Sequence, residues 1–209
     1  INEQEFMGLP FYVDPGVLIP RQDTETLVEV LIERAKQTPF NRIIEVGVGS
    51  GCISISLAKF LDKVTITGID ISKKALRIAE KNAKINKVED CIQWIQGDLL
   101  KGYKKDEKVD LIVSNPPYIT TEDYHALDPE VKDHEPTIAL EGGEDGLDFY
   151  REITIQAKKH LVKGGMLAYE IGYNQGQAVM DLLNQQGFIE VEIIKDLTNK
   201  DRVVLGQTR

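Results

Sequence analysis

The sequence is poor in residues that could tie it together covalently or through a metal. Cys52 and Cys91 stand apart in apolar stretches of a 209-residue chain, too few for a disulfide framework, and read as buried thiols of a reducing cytoplasm. Neither has a second Cys or a His at ligand spacing. His125, His134 and His160 are too scattered to supply one, so no metal is expected. No apolar run approaches the ~18 residues of a membrane span. Positive charge is short too: 25 Lys+Arg against 34 Asp+Glu leave a net charge of −9. Proteins that grip duplex nucleic acid usually carry a basic face, so no direct nucleic-acid substrate is expected. Internal repeats, low-complexity segments and a signal-peptide pattern are all missing.

What remains is globular composition, with 42% hydrophobic and 28% charged residues. The length suits one domain whose core folds unaided, and a monomer is expected. The chain opens at Ile1 without an initiator Met, which suggests a fragment of something longer. Phe11–Val13 and Val17–Ile19 flank Asp14-Pro15-Gly16 and read as a small hairpin. Asp23 or Thr24 should cap a helix carrying Leu27, Val30, Leu31 and Ala35 at helical spacing, ended by Pro39. The expected division is therefore a hairpin and linker over 1–22 and the main domain over 23–209.

From residue 42 strands and helices alternate. Strands are expected at 42–46, 64–69, 91–95, 110–113 and 166–171, and helices at 52–60, 72–85, 147–161 and 175–186. Two closing strands, 188–194 and 202–205, have no helix between them and should form an antiparallel hairpin. Such alternation implies an α/β fold: a doubly wound, mostly parallel sheet of seven strands covered on both faces. A loop from about Tyr118 to Gly146 is longer than ordinary connections, and so functional or mobile.

The chemistry-bearing residues cluster at strand ends. The first strand of the alternating region runs into Glu45-Val46-Gly47-Val48-Gly49-Ser50-Gly51, with a helix immediately after. Such glycines let a ligand lie against bare main chain near a helix N-terminus. A dinucleotide fingerprint would need its third glycine at position 52, which is Cys, and that argues against a nicotinamide enzyme. The second strand ends at Asp70, placed to accept both hydroxyls of a ribose. The glycine loop with these two acids resembles the S-adenosylmethionine-dependent methyltransferase fold.

A later strand ends in Ser114-Asn115-Pro116-Pro117-Tyr118, at the same edge of an open α/β sheet. Two prolines remove donors, leaving the Asn115 side-chain oxygen and the Pro116 carbonyl as acceptors for a planar NH2 group. Methyl transfer builds positive charge on that nitrogen, which preorganised acceptors stabilise. A proline-stiffened strand exit with Tyr118 as packing is the structural alternative.

Glycine loop plus Asn-Pro-Pro-Tyr resembles the amino-group methyltransferases. Leu18-Ile19-Pro20-Arg21-Gln22-Asp23-Thr24-Glu25, Glu135-Pro136, Gly142–Asp148 with Tyr150-Arg151, and Asp201-Arg202-Val203 narrow this. Together they resemble the HemK-type protein-(glutamine) methyltransferases of peptide chain release factors. The resemblance implies methyl transfer from S-adenosylmethionine to the glutamine of a Gly-Gly-Gln loop, in a cytoplasmic protein whose partner is the release factor. It also implies an upstream helical docking domain, expected to be missing from this chain, and an active-site loop at 119–146. Carried over residue by residue, Asn115, Pro116 and Tyr118 would be catalytic, and these with Pro117 would bind substrate. Glu45, Gly47, Val48, Gly49, Ser50, Gly51, Asp70, Ile71, Asp98, Leu99 and Asn115 would hold the cofactor.

Two departures stand out: Leu99 follows Asp98 where several relatives carry Trp, and Gln22 replaces a common proline. Phe11 lies either near the methionine moiety or in the core, and Trp94 reads as core. Arg21 and Glu25 either order the start of the first helix or meet substrate. Lys73, Lys74, Lys81, Lys84 and Lys87 read as a solvated face. The alternatives are glutamine methylation of a ribosomal protein, adenine amino-methylation of nucleic acid, and a non-catalytic adaptor on the same fold.

Overall fold

A computed structural model describes residues 2–103, 106, 108–126 and 139–209. Glu135, Pro136 and His134 lie outside these. Hairpin strands β1 (Glu3–Phe6) and β2 (Leu9–Tyr12) lead into α1 (Gln22–Gln37), β3 (Arg42–Val46), α2 (Cys52–Phe60), β4 (Thr65–Asp70) and α3 (Lys73–Asn86). Then come β5 (Ile92–Gln96), β6 (Val109–Ser114), α4 (Thr121–Ala126), α5 (Asp148–Ala157), β7 (Leu161–Glu170), α6 (Gly176–Gln185), β8 (Ile189–Lys195) and β9 (Asp201–Gln207).

The main sheet has the order β5-β4-β3-β6-β7-β9-β8. β9 is antiparallel to both neighbours, and the remaining pairings are parallel. The expected doubly wound, mostly parallel seven-stranded sheet with a C-terminal antiparallel hairpin is therefore what the chain forms. Period-two alternation divides the core between the two faces. Ile43, Leu111, Val113 and Met166 pack toward the cluster of Leu27, Leu31, Ile55 and Leu57. Ile44, Ile112, Leu167 and Tyr169 pack toward Tyr150, Ile153, Val179 and Leu183. The chain leaves the sheet centre in opposite directions after β3 and β6, which opens a crevice at their carboxyl ends.

Several local expectations need correction. The N-terminal hairpin lies one segment earlier than the sequence suggested, pairing Glu3–Phe6 with Leu9–Tyr12. Its two-residue turn is Met7-Gly8, both at positive φ (53° and 71°), the mirror-image geometry that matches strand twist. The Met7 amide donates to Glu25 Oε1 at 2.6 Å, so Glu25 orders the hairpin. Asp14-Pro15-Gly16 does form a turn, closed by the Val17 amide donating to the Asp14 carbonyl at 3.4 Å, but only an isolated Pro15–Val17 bridge accompanies it and no strand pair.

Neither Asp23 nor Thr24 caps α1, which starts at Gln22 after Arg21 without a side-chain cap. Helix α5 ends at Ala157, not Leu161, because Leu161 already pairs with Val109 in β7. The long loop contains the short helix α4. Three of the lysines have partners, and besides the Lys84–Glu80 pair within α3 at 2.8 Å, two of them reach another element. Lys74 pairs with Asp14 at 3.0 Å, and Lys81 Nζ sits 3.1 Å from the Tyr12 ring centre. Phe11 is fully buried edge-on to Phe6, so it is core.

Candidate active site

The crevice between β3 and β6 holds a cavity of about 360 Å³. Glu45, Gly47, Val48, Gly49, Ser50, Asp70, Ile71, Asp98, Leu99, Asn115, Pro116 and Pro117 all line it. Tyr118 and Gly51 do not. The glycines divide by job. A Cβ on Gly47 or Gly49 would meet nothing within 4 Å, so both leave main chain open to the cavity, at φ +76° and +56°. Gly51, at φ +83°, is a packing glycine: its Cβ would come within 3.0 Å of Ala79 Cβ and Ile55 Cδ1. Asp70 is pinned by the amides of Gly49 (3.0 Å) and Ser72 (2.8 Å). A carboxylate oxygen can accept more than one donor, so Asp70 is preset with acceptor capacity to spare.

Glu45 is buried, with Oε2 accepting from the Ser54 amide at 3.0 Å and from the Ser54 hydroxyl. Burial pushes its carboxyl up to about 8, against the pull of those hydrogen bonds, and Asp70 adds to the rise. Cys52 lines the cavity with its thiol also pushed up, first by burial and then by Glu45, which makes it inert at neutral pH. Asp98 is exposed and ion-paired to Lys101 at 3.1 Å, while Leu99 (φ 52°) turns into the second core cluster.

At the exit of β6 the Ser114 hydroxyl donates to the Val46 carbonyl at 2.6 Å, locking the two switch-point strands together. Asn115 Nδ2 donates to Thr24 Oγ1 at 3.3 Å. Gln175 Nε2 clamps the carbonyls of Tyr118 (3.0 Å) and Gly146 (3.2 Å). Gly146, at φ +73°, has no room for a side chain against Tyr118. The 142–146 segment thus buttresses Asn-Pro-Pro-Tyr from behind. Burial, and then Glu170, push the Tyr118 phenol up to about 12, so it carries no charge at neutral pH.

Sequence reasoning missed part of the remaining wall: Gly16 and Val17 on one side, beside Leu18, Pro20 and the Arg21 already weighed for substrate contact, and Phe149 and Ile153 of α5 on another. It also missed Asn82, fully buried on α3. Asn82 accepts from the Tyr12 amide at 2.7 Å and donates to the carbonyls of Tyr12 and Ser50, both at 2.9 Å. The side chain ties the hairpin to the glycine loop. A buried Asn on an amphipathic helix was the available signal. Among the described residues no cluster of His, Cys, Asp or Glu could hold a metal, and no helix is long and apolar enough to cross a membrane.

The Methyltransferase small domain family matches residues 9–129. A release factor glutamine methyltransferase of Clostridium acetobutylicum is 47% identical over 97% of this chain and 71% of its own. The chain belongs to the release factor glutamine methyltransferase family. Another member, from Fusobacterium nucleatum, is 45% identical over 99% of this chain and 58% of its own length. A solved release factor-specific protein-(glutamine-N5) methyltransferase from Alicyclobacillus acidocaldarius is 30% identical. It covers 91% of this chain and 94% of its own, with a TM-score of 0.55. For a chain of this family, the cavity at the β3–β6 switch point is the candidate methyl-transfer site.

Proposed function

We propose that this methyltransferase moves a methyl group from S-adenosylmethionine to the side-chain amide nitrogen of the glutamine in the Gly-Gly-Gln loop of a peptide chain release factor. The observation that carries the reading is that Asn115 and Pro116 share one cavity with Asp70, Glu45 and the open main chain of Gly47 and Gly49. Those acceptors suit the cofactor: Asp70 has capacity for two ribose hydroxyls and Glu45 can meet an ammonium group. Val48 and Ser50 line the glycine loop, Gly51 sets its exit into α2, and Ile71, Asp98 and Leu99 offer the adenine side. Bound S-adenosylmethionine supplies an electrophilic methyl group on a cationic sulfur.

The protein's own task is to make an amide nitrogen nucleophilic. Asn115 Oδ1 and the Pro116 carbonyl accept its two N–H groups and favour the charge that builds on nitrogen. Pro117 holds the segment extended. Tyr118 supports it from outside the cavity rather than reaching into it. The excess proton passes to water, so no general base is needed. Labelled methyl donor should therefore transfer to intact release factor and not to a ribosomal protein or adenine-containing duplex DNA. Label in DNA or the ribosomal protein instead would sink this reading.

A further inference from the structure

Behind Asn115 lies a buried polar group for which methyl transfer so far has no use. Glu170, the last residue of β7, is 2% exposed, and its Oε2 has no hydrogen-bond partner among the described residues. The side chains of Thr24 and Asn115 are its hydrogen-bonding neighbours, and Asn115 Nδ2 in turn donates to Thr24 Oγ1 at 3.3 Å. Arg202 of β9 supplies the positive charge that acts on it. That guanidinium is itself held by Asp196 and Asp23, both at 3.1 Å.

An ionised carboxylate only accepts hydrogen bonds, whereas an amide presents a donor on one side and an acceptor on the other. With Glu170 ionised, the Thr24 hydroxyl proton turns to the carboxylate. Its lone pair then faces Asn115, and the Asn115 NH2 group must point inward. Oδ1 is left for the cavity. We propose that Glu170, acting with Thr24, is a positioning residue that fixes which way the Asn115 amide is flipped, so that an acceptor and not a donor meets the substrate amide. The proposal rests on the function proposed above for Asn115.

Protonation undoes the arrangement, because a carboxylic acid can donate to Asn115 Oδ1 and stabilise the opposite flip. Burial pushes the Glu170 carboxyl up to about 7, with Asp23 adding to the rise and Thr24, Arg202 and Asn115 opposing it. The other ionisable neighbours are Tyr118, Tyr150 and Cys52, all raised by burial and all neutral across this range.

The test compares wild type with Glu170→Gln, in single-turnover methylation of intact release factor at saturating cofactor, from about pH 6 to pH 8.5. The wild-type rate should fall as pH drops through about 7, approaching tenfold per unit below it. The variant should be slower at the upper end, by about three- to tenfold, and flat with pH, because a neutral amide stabilises both flips. KM for the factor should change less than about twofold, since the step lost is orientation within the bound complex. Thr24→Val should lower the rate without moving KM in the same way.

A second readout needs no substrate. The Asn115 side-chain NH2 resonance, identified by its loss in Asn115→Ala, should titrate near pH 7 in wild type and not in Glu170→Gln. A variant that keeps the wild-type rate and pH profile, or an NH2 resonance that ignores both pH and the substitution, overturns the proposal. If wild type fails to methylate the factor, the functional reading fails, and the resonance still decides the positioning claim.

Discussion

Glu45→Gln should make the protein more stable and less able to bind its cofactor. The Glu45 carboxyl is raised from 4.5 to about 8, so the folded state holds a proton that the unfolded state has released by neutral pH. Stability from such a group is greatest at low pH and is lost as pH rises from about 4.5 through about 8, because the folded state must then take up a proton or carry a buried charge. At pH 7 the difference spans about 2.5 pH units, an upper bound of roughly 3 kcal/mol. The substituted amide keeps an oxygen to accept from Ser54 and never ionises, which makes a gain of about 1–3 kcal/mol reasonable. For a chain of this size that corresponds to about 3–8 °C in melting temperature at pH 8. At pH 5 little of the gain should remain. Thermal unfolding at both pH values reads the first half, and calorimetric titration of S-adenosylhomocysteine the second. Affinity should drop, since a carboxylate lining the cavity is gone. A variant no more stable at pH 8 than wild type, or stabilised more at pH 5, would refute the reasoning about buried charge.

Other substitutions separate packing, binding and chemistry. Asp70→Ala should blunt the rise in melting temperature given by S-adenosylhomocysteine, because a ligand stabilises in proportion to its affinity for the folded state; an unchanged shift would contradict the ribose placement. Gly51→Ala forces a side chain into left-handed backbone against Ala79 and Ile55 and should cost about 1–3 kcal/mol in denaturant unfolding. Gly49→Ala meets open space, so its larger effect should be on cofactor affinity. Asn115→Ala should cut single-turnover methyl transfer by ~10²–10³, the usual cost of one preorganised charge-stabilising group, while cofactor affinity changes far less. Wild-type turnover in that variant would shift the acceptor role elsewhere.

Strand-end chemistry was legible because it is local. The glycine loop, Asp70 and Asn-Pro-Pro-Tyr each follow a strand directly, and an open α/β sheet gathers such ends at one edge. The start of the helix expected over 72–85 was equally local, since the Ser72 hydroxyl caps it by accepting from the Ala75 amide within the same turn at 3.2 Å. Asp23 and Thr24 looked like caps because short polar side chains favour that role. Tertiary partners took them instead: Asp23 meets Arg202 and Thr24 meets Asn115. The hairpin was misplaced because Pro-Gly is the louder turn signal. The left-handed Met7 is held by Glu25, 18 positions away. Glu170 was invisible for the same reason, since its partners lie on other elements and no local spacing links them, while Asn82 showed only as a polar residue on the apolar face of α3.

The central claim is that the methyl group arrives on a side-chain amide nitrogen. Intact release factor should be incubated with the protein and S-adenosylmethionine, digested, and its Gly-Gly-Gln peptide sequenced by tandem mass spectrometry. The account predicts one added methyl group on the glutamine side chain, absent when Asn115→Ala replaces wild type at matched time. A methyl group on any other residue, or an unmodified glutamine after complete cofactor turnover, would contradict it.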